Sequence, residues 1–204
     1  MSNPFSKDEK FFSVISPCYK DDWKYLSKVA EALNNQEYKE FEWIVVFDGE
    51  NKKGVKEMQK MKYKWASYYT IEHGGAPKAR NFGQTKAKGD YYVFLDSDKY
   101  LYPESLRMWA NAFENKKINR VWGTYDIVTD QGVQKGFGTA LTFPSGKVWY
   151  PSFKSSNYCD STFPIRATSY IPWDESLKSL QDWDLAIRQL KRTDFKFDDF
   201  VYIN

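Results

Sequence analysis

The chain has only two cysteines and one histidine among its 204 residues, which limits the kinds of site it can build. Cys18 and Cys159 give no metal-ligand spacing, and two cysteines make a disulfide framework an unfavoured interpretation, so a reducing compartment and a cytoplasmic location are expected. No apolar run approaches the roughly 20 residues of a membrane span, and the N-terminal residues lack the pattern of a signal peptide. We therefore expect a soluble protein without a transmembrane segment, for which peripheral membrane contact stays open.

A strong charge of one sign is also missing, because 30 Lys and Arg residues face 27 Asp and Glu residues. This balance argues against a nucleic-acid partner. Aromatic residues, in contrast, make up 19% of the chain. Aromatic rings pack well against the apolar faces of sugars, although most of them belong to the core of any domain. The composition therefore permits a sugar site without showing one.

The order of apolar segments predicts a single α/β domain with a parallel sheet, because strands and helices alternate through the first half of the chain. The later part predicts a hairpin, a long loop, a helix and a final strand. The predicted strands of the first half are residues 11–17, 41–47, 65–71 and 91–95, and the later segments are 121–129 with 133–141, 142–158, 180–192 and 195–203.

The run YYVFLDSD at residues 91–98 is the most informative stretch. Five apolar or aromatic residues predict a strand buried on both faces, and the strand ends in Asp96 and Asp98. Carboxylates are costly to bury unless a cation meets them, and Mg2+ or Mn2+ suits oxygen ligands beside substrate phosphates. A strand that simply stops in a polar turn is the alternative.

Two further strands are followed by polar residues that face the same edge of the predicted sheet. Residues 17–20 follow the first strand, and Asp48 with Gly49 follows the second. In open parallel sheets, ligands bind outside the carboxyl ends of the strands. A nucleotide between the first two strands, with its diphosphate at a metal beside Asp96 and Asp98, would satisfy all three elements.

Six segments in a fixed order resemble the motifs of family-2 glycosyltransferases of the GT-A fold. The resemblance covers about residues 12–190 and implies a Rossmann-like, mostly parallel sheet flanked by helices, with a small antiparallel hairpin. It also implies one domain over residues 1–204, with a nucleotide-sugar-binding half at about 11–100 and an acceptor-binding half at about 101–204. The segments are SVISPCY at 13–19, WIVVFDG at 43–49, GAPKARN at 75–81, LDSD at 95–98, WDESL at 173–177 and QDWDL at 181–185.

The resemblance implies roles for the residues that match the donor-binding motifs. Asp48 matches an acidic residue that recognises the nucleotide base, although Phe47 stands where the family has a second acid. Pro17 and Tyr19 lie in the turn expected to hold the nucleoside.

Four further residues match the later donor-side motifs. Arg80 and Asn81 match a segment beside the donor. Within the D-x-D signature, Asp98 is the expected metal ligand, and Asp96 is expected to contact the ribose or a metal-bound water as a helper at the metal.

Asp182 matches the aspartate that acts as catalytic base in inverting members, with Gln181 where the family usually has Glu. Local geometry supports this choice over Asp184, because Arg188 lies four residues after Asp184 on the predicted helix and can pair with it. Asp182 has no basic residue at the corresponding positions of its own helix. The alternative is that Asp182 only caps the helix.

The resemblance thus implies a hexosyltransferase that uses Mn2+ or Mg2+. It would move a sugar, with inversion, from a nucleotide-sugar donor to a hydroxyl of a glycan, lipid-linked or protein-linked acceptor. UDP is the expected nucleotide. Trp149, Tyr150 and Tyr158 are candidate acceptor contacts in the predicted loop. A non-catalytic sugar- or nucleotide-binding module that kept the fold is the alternative, favoured by Gln181 and Phe47. A nucleotidyltransferase is disfavoured, because the turn after the first strand contains no glycine.

Overall fold

The structure is a computed structural model that describes residues 10–123, 125–137, 162, 164–191 and 200–203. Its first half alternates strands and helices as the sequence predicts. The four strands of this half are β1 (Phe12–Cys18), β2 (Phe41–Asp48), β3 (Ala66–Ile71) and β4 (Tyr91–Phe94). The helices that accompany them are α1 (Leu26–Asn34), α2 (Lys52–Met61), α3 (Ala76–Lys86) and α4 (Ser105–Ala112).

Within the described residues, the second half adds short strands and a helix to this framework. They are β5 (Arg120–Gly123), β6 (Tyr125–Thr129), β7 (Gly132–Phe137), β8 (Ile165–Arg166), α5 (Gln181–Leu190) and β9 (Phe200–Ile203). In the described part of the chain, the main sheet has seven strands in the order β3-β2-β1-β4-β8-β5-β9, and β6 pairs with β7 in a separate hairpin. Strands β3, β2, β1 and β4 are parallel, whereas β8 runs antiparallel to both of its neighbours.

Burial explains why the central strands read as continuous apolar runs. Every residue of β1 and β4 is buried, as expected for parallel strands covered on both faces. One apolar cluster joins the sheet to α1 and α4 through side chains such as Leu33 and Leu106. A second cluster on the opposite face includes Ala79 of α3 and Leu185 of α5. The predicted α/β architecture, with helices on both faces, is therefore confirmed.

Helix α3 lies unusually close to the sheet, and this closeness positions the side chains of the helix. A Cβ built on Gly83 would lie 2.4 Å from Ile15 Cγ2 of β1. Gly75, with φ of +93°, turns the chain into this helix, and Pro77 occupies its first turn. Gly75 and Pro77 thus set where α3 begins, and Gly83 sets how closely it packs on the sheet.

The structure departs from the sequence-based boundaries in three places. The helix predicted from Asp21 or Asp22 begins as a 3-10 segment, Lys20–Tyr25, before α1 continues it. The predicted first arm of the hairpin divides, because β5 joins the main sheet beside β9 and β6 alone pairs with β7. The two-residue strand β8 was not predicted. Within the described part of the chain, no helix has the length and apolarity to span a bilayer.

Candidate active site

The carboxyl ends of β1, β2 and β4 meet at a cleft of about 280 Å3. The sequence-predicted edge is therefore a real concavity, and most of its predicted residues line it. The lining residues are Pro17, Cys18, Tyr19, Asp22, Asp48, Ala76, Arg80, Asp96, Ser97 and Asp98.

Asp48 lies at the end of β2 with only 4% of its surface exposed. Its Oδ1 accepts a hydrogen bond from Gly74 N at 2.7 Å, and its Oδ2 accepts one from Gly75 N at 2.9 Å. The Nδ1 atom of His73 lies 2.8 Å from the same Oδ2. Asp48 therefore holds the turn between β3 and α3, and most of its hydrogen-bonding capacity is used within the protein.

Tyr19 and His73 form a stacked pair at the rim of the cleft. Their ring centroids are 4.6 Å apart and their planes differ by 12°. The backbone N–H of Tyr19 donates to Asp22 Oδ2 at 3.1 Å, which starts the 3-10 segment. Lys20 adopts a left-handed φ of +44°, and Asn51 donates to its carbonyl at 2.8 Å. The turn after β1 is thus fixed by side chains on both sides, and it presents Tyr19 at the cleft.

Cys18 also lines the cleft, but its thiol is not a nucleophile. Burial first, and then the nearby Asp22 carboxylate, raise the pKa of Cys18 to about 12. A thiol reacts as its thiolate, so Cys18 stays protonated and inert at neutral pH. Covalent chemistry through this cysteine is therefore not supported.

Arg80 of α3 connects the end of β4 to the start of α5. Its Nη2 donates to Asp96 Oδ1 at 2.6 Å, and its Nη1 donates to Gln181 Oε1 at 3.3 Å. The guanidinium also lies 4.5 Å from the ring centroid of Trp173. Only 7% of Arg80 is exposed. Arg80 thus links the Asp96 segment after β4 to the start of α5, and it also lines the cleft.

Asp96 is flanked by two cations. Arg80 meets one carboxylate oxygen, and Lys99 Nζ lies 3.1 Å from the other. Burial alone would raise the pKa of Asp96, but the charges and hydrogen bonds of Arg80 and Lys99 outweigh it and hold the pKa below its usual value. Asp96 therefore stays ionised, and its charge is already balanced by protein groups.

Asp98 differs from Asp96, since it is exposed at the cleft and pairs with no cation among the described residues. The described residues also contain no group of three or more His, Cys, Asp or Glu side chains arranged to hold a metal. A Mg2+ ion is typically bound by one or two carboxylates together with substrate phosphates, and it keeps several waters. Asp98 therefore fits a cation that is shared with a bound diphosphate, whereas the two cations beside Asp96 make it a poorer direct ligand.

Asp182 and Asp184 lie in the first turn of α5 and are distinguished by their partners. Arg188 Nε donates to Asp184 Oδ2 at 2.7 Å, as the four-residue spacing predicts. Asp182 accepts only the adjacent Trp183 N–H, at 3.0 Å, and no cation in the described part of the chain pairs with it. The residue before α5, Leu180, is left-handed with φ of +56°. Such backbone strain is often found at functional sites.

Asn81 is the predicted donor-side residue that the structure does not bring to the cleft lining. Its Nδ2 donates to Trp173 O at 3.0 Å and to Glu175 Oε1 at 2.8 Å. Its Oδ1 accepts from Tyr170 OH at 2.8 Å and from Trp173 N at 2.9 Å. These four bonds tie α3 to the segment before α5. A donor contact by Asn81 stays a prediction, and the geometry favours a structural role.

Sequence reasoning gave no site role to His73, Lys99 or Trp173, although Trp173 begins one of the six motif segments. Lys99 directly follows the D-x-D signature, and that position was the available signal. His73 lies in the turn after β3, and its bond to Asp48 joins residues 25 apart, so no local pattern indicates it. The candidate acceptor residues Trp149, Tyr150 and Tyr158 lie outside the described residues.

The chain is similar to known proteins. The family model described as Glycosyl transferase family 2 matches residues 13–170. An uncharacterized glycosyltransferase of Rickettsia bellii is 27% identical over an alignment 200 residues long, and the match covers 94% of this chain and 29% of that protein. The chain thus spans less than a third of the length of this relative.

Two solved structures have the same fold. The crystal structure of TarS residues 1–349 from S. aureus, in complex with UDP-GlcNAc, is 24% identical with a TM-score of 0.73, and the match covers 95% of this chain and 59% of that one. The mannosyltransferase PcManGT from Pyrobaculum calidifontis, in complex with GDP-Man and Mn2+, is 14% identical with a TM-score of 0.64 and coverages of 95% and 56%.

Proposed function

The chain belongs to glycosyl transferase family 2, and on that premise we propose that it transfers a sugar from a UDP-sugar donor to a hydroxyl acceptor with inversion. The observation that carries the proposal is the pair of hydrogen bonds from Arg80. They join Asp96, at the donor edge of the sheet, to Gln181, which directly precedes the candidate base. These bonds support a position for the start of α5 beside the donor edge, although Asp182 itself does not line the cleft.

The nucleoside part of the donor would lie at the corner formed by Pro17, Tyr19 and Asp48. Tyr19 lines this corner; His73 stacks on its ring and Lys20 Nζ lies 4.8 Å from the ring centroid, so a base would contact the exposed part of the ring that these two groups leave. The bound UDP-GlcNAc of TarS and the bound GDP-Man of PcManGT support a nucleotide sugar as the ligand class at this fold. Arg80 and Lys99 beside Asp96 would keep this edge from repelling the phosphates.

In the proposed reaction, an acceptor hydroxyl oxygen attacks the anomeric carbon of the donor sugar. The bond from that carbon to the diphosphate oxygen breaks, and its electron pair leaves with the diphosphate. The hydroxyl proton passes to the carboxylate of Asp182. The absence of a cation partner for Asp182 among the described residues leaves this carboxylate available to accept a proton. A single displacement of this kind inverts the configuration at the anomeric carbon.

Asp98 is the residue proposed to hold a divalent cation, Mn2+ or Mg2+, together with the donor phosphates. When bound, such a cation would offset the negative charge that develops on the departing diphosphate. Asp96 would help indirectly, because its bonds to Arg80 and Lys99 fix the end of β4 from which Asp98 projects.

A donor panel tests the proposal. The purified chain would be incubated with UDP-GlcNAc, UDP-glucose, UDP-galactose and GDP-mannose, with MnCl2, with MgCl2 or with EDTA, and released nucleotide would be measured. We expect nucleotide release from at least one UDP-sugar, by hydrolysis or by transfer to added sugars, and we expect EDTA to reduce it.

The same panel separates the catalytic proposal from its alternative, a module that binds nucleotide sugars without turning them over. Gln181, which stands where an acid is usual and is engaged with Arg80, is the observation that favours the alternative. Calorimetric binding of a donor without nucleotide release under any metal condition would support the binding module. If no donor binds and no nucleotide is released, both proposals are rejected.

A further inference from the structure

We propose that the outer face of α2 docks on an anionic lipid bilayer. The contact would be made by the lysine face, which consists of the four lysines of this helix. All four are exposed, and none of them lines the cleft. The lysine face comprises Lys52, Lys53, Lys56 and Lys60.

These lysines project from one side of the helix. At 3.6 residues per turn, successive residues are about 100° apart, so the four side chains fall within an arc of about 100°. The buried residues Gly54 and Met58 lie on the opposite side, packed toward the sheet. Residues 50–64 carry six lysines and two glutamates, a net charge of +4, whereas the whole chain carries +3. The excess of positive charge in this chain therefore lies at α2.

Ion pairs within the protein use only part of this charge. Lys52 Nζ lies 3.1 Å from Glu50, and Lys60 Nζ lies 3.2 Å from Glu57. Exposed pairs of this kind contribute little to stability, so other anions can replace the glutamates. Within the described ranges, no acidic side chain forms an ion pair with Lys53 or Lys56. The lysine face is therefore available to an anionic partner.

The stability of α2 does not explain where its lysines lie. Lys52 and Lys53 occupy the first turn of the helix, which contains no acidic residue. The N-terminal end of a helix carries a partial positive charge, so cations in the first turn destabilise it. An anionic surface bound across this face would offset that repulsion. The placement of these two lysines therefore favours binding over a role in folding.

The 3-10 segment beside α2 favours a bilayer over a nucleic acid. It brings the half-buried Trp23 to Lys53, whose Nζ lies 6.0 Å from the ring centroid, and it leaves Tyr25 44% exposed. Trp and Tyr are enriched where proteins meet lipid headgroups. A cluster of about four to eight lysines on an amphipathic helix is typical of binding to anionic lipids, whereas a nucleic-acid-binding domain is usually strongly basic as a whole.

Helix α2 also begins beside the rim of the cleft. Its N-cap residue, Asn51, donates from Nδ2 to the carbonyl of Lys20 at 2.8 Å, in the turn that presents Tyr19 at the cleft. A bilayer along the lysine face would therefore lie next to the cleft and bring a lipid-linked acceptor near it. That consequence rests on the proposed function, whereas lipid binding itself does not.

Vesicle sedimentation tests lipid binding without donor or metal. The chain would be mixed with vesicles of phosphatidylcholine alone, or of phosphatidylcholine and phosphatidylglycerol in equal parts, and the bound fraction measured. We expect binding to the anionic vesicles only. It should be lost when NaCl rises from about 0.1 M to about 1 M, because the screening length falls from about 10 Å to about 3 Å. Each lysine near an anionic bilayer raises the binding constant by about fivefold, so Lys53→Gln with Lys56→Gln should weaken binding by about 25-fold.

Lys116→Gln with Lys117→Gln is the matched control, because it removes the same charge from two exposed lysines between α4 and β5. This control should bind the vesicles like the wild type. Urea unfolding would verify that both double variants are folded, and we expect the variant of Lys53 and Lys56 to be as stable as the wild type.

Equal binding by the two double variants, or equal binding to neutral and anionic vesicles, would overturn the proposal. Tighter binding to short single- or double-stranded DNA than to anionic vesicles, lost in the variant of Lys53 and Lys56, would assign the lysine face to nucleic acid instead. Failure to bind any vesicle would also overturn lipid docking, and it would leave the proposed function standing, because nucleotide release is measured without lipid.

Discussion

Replacing Arg80 with methionine removes the cation that joins β4 to α5 while keeping most of the apolar volume of the side chain. In the wild type, Arg80 is 7% exposed and lies between Asp96, Gln181 and the ring of Trp173. Without it, the carboxylate of Asp96 loses its closest partner. The start of α5, with Asp182, also loses its hydrogen bond to the sheet edge. We therefore expect lower stability and lower activity together.

The size of the stability loss follows from the surroundings of Asp96. Removing one partner of a fully buried ion pair costs about 3–5 kcal/mol, because a charge is left uncompensated. Here 27% of the Asp96 side chain is exposed, and Lys99 Nζ stays 3.1 Å from it. We therefore expect a smaller loss, about 2–3 kcal/mol. For a protein of this length, that loss corresponds to a fall in Tm of about 5–10 °C.

The assay is urea unfolding of the wild type, Arg80→Met, Asp96→Asn and the double variant, followed by circular dichroism. If the ion pair is the cause, the double variant should be more stable than the sum of the single losses predicts, by about 1 kcal/mol or more. Arg107→Met is the matched control. Arg107 is an exposed arginine that lies over the Tyr38 ring, and its loss should change stability by about 0.5 kcal/mol or less. Additive losses in the double variant, or an Arg80→Met protein as stable as the control, would show that the Arg80–Asp96 ion pair is not the cause of the stability loss.

Three further outcomes follow from the structure. Asp98→Ala should weaken Mn2+-dependent binding of UDP, and calorimetry with and without EDTA should show that metal-free binding is little changed. Gly83→Ala should destabilise the fold by about 1–3 kcal/mol in urea unfolding, because the new Cβ would lie 2.4 Å from Ile15 Cγ2. Because Arg80 and Lys99 hold the pKa of Asp96 below its usual value, its stabilising contribution is complete above about pH 4 and is lost as the pH falls through the lowered pKa. The wild type should therefore lose more stability between neutral pH and pH 3 than Asp96→Asn does, and equal losses would contradict this explanation.

Local patterns were enough to predict the framework of the fold and one contact of the site. The apolar runs of β1, β2 and β4 indicated buried parallel strands, and the topology of such sheets then placed their polar ends at one edge. The pairing of Asp184 with Arg188 followed from helical spacing alone and is confirmed. These features depend on residues that are near each other in sequence or on a general property of parallel sheets.

Contacts between distant segments could not be predicted in this way. Arg80 is separated by 101 residues from Gln181, and Asn81 by 92 residues from Trp173. Such pairings depend on how α3 and α5 pack on the same face of the sheet, which no local period encodes. The bonds of Asp48 to the turn at Gly74 and Gly75 are another case, since they require β3 to lie beside β2.

A comparison of two neighbouring carboxylates, Asp182 and Asp184, tests whether Asp182 is the catalytic base. Nucleotide release and sugar transfer would be measured for Asp182→Asn and Asp184→Asn with the donor that the panel identifies, alongside calorimetric binding of UDP. We predict that Asp182→Asn lowers transfer by about 10²–10⁴-fold while UDP binding persists, and that Asp184→Asn, which loses its pair with Arg188, keeps most of its activity. Near-wild-type transfer by Asp182→Asn would contradict the account.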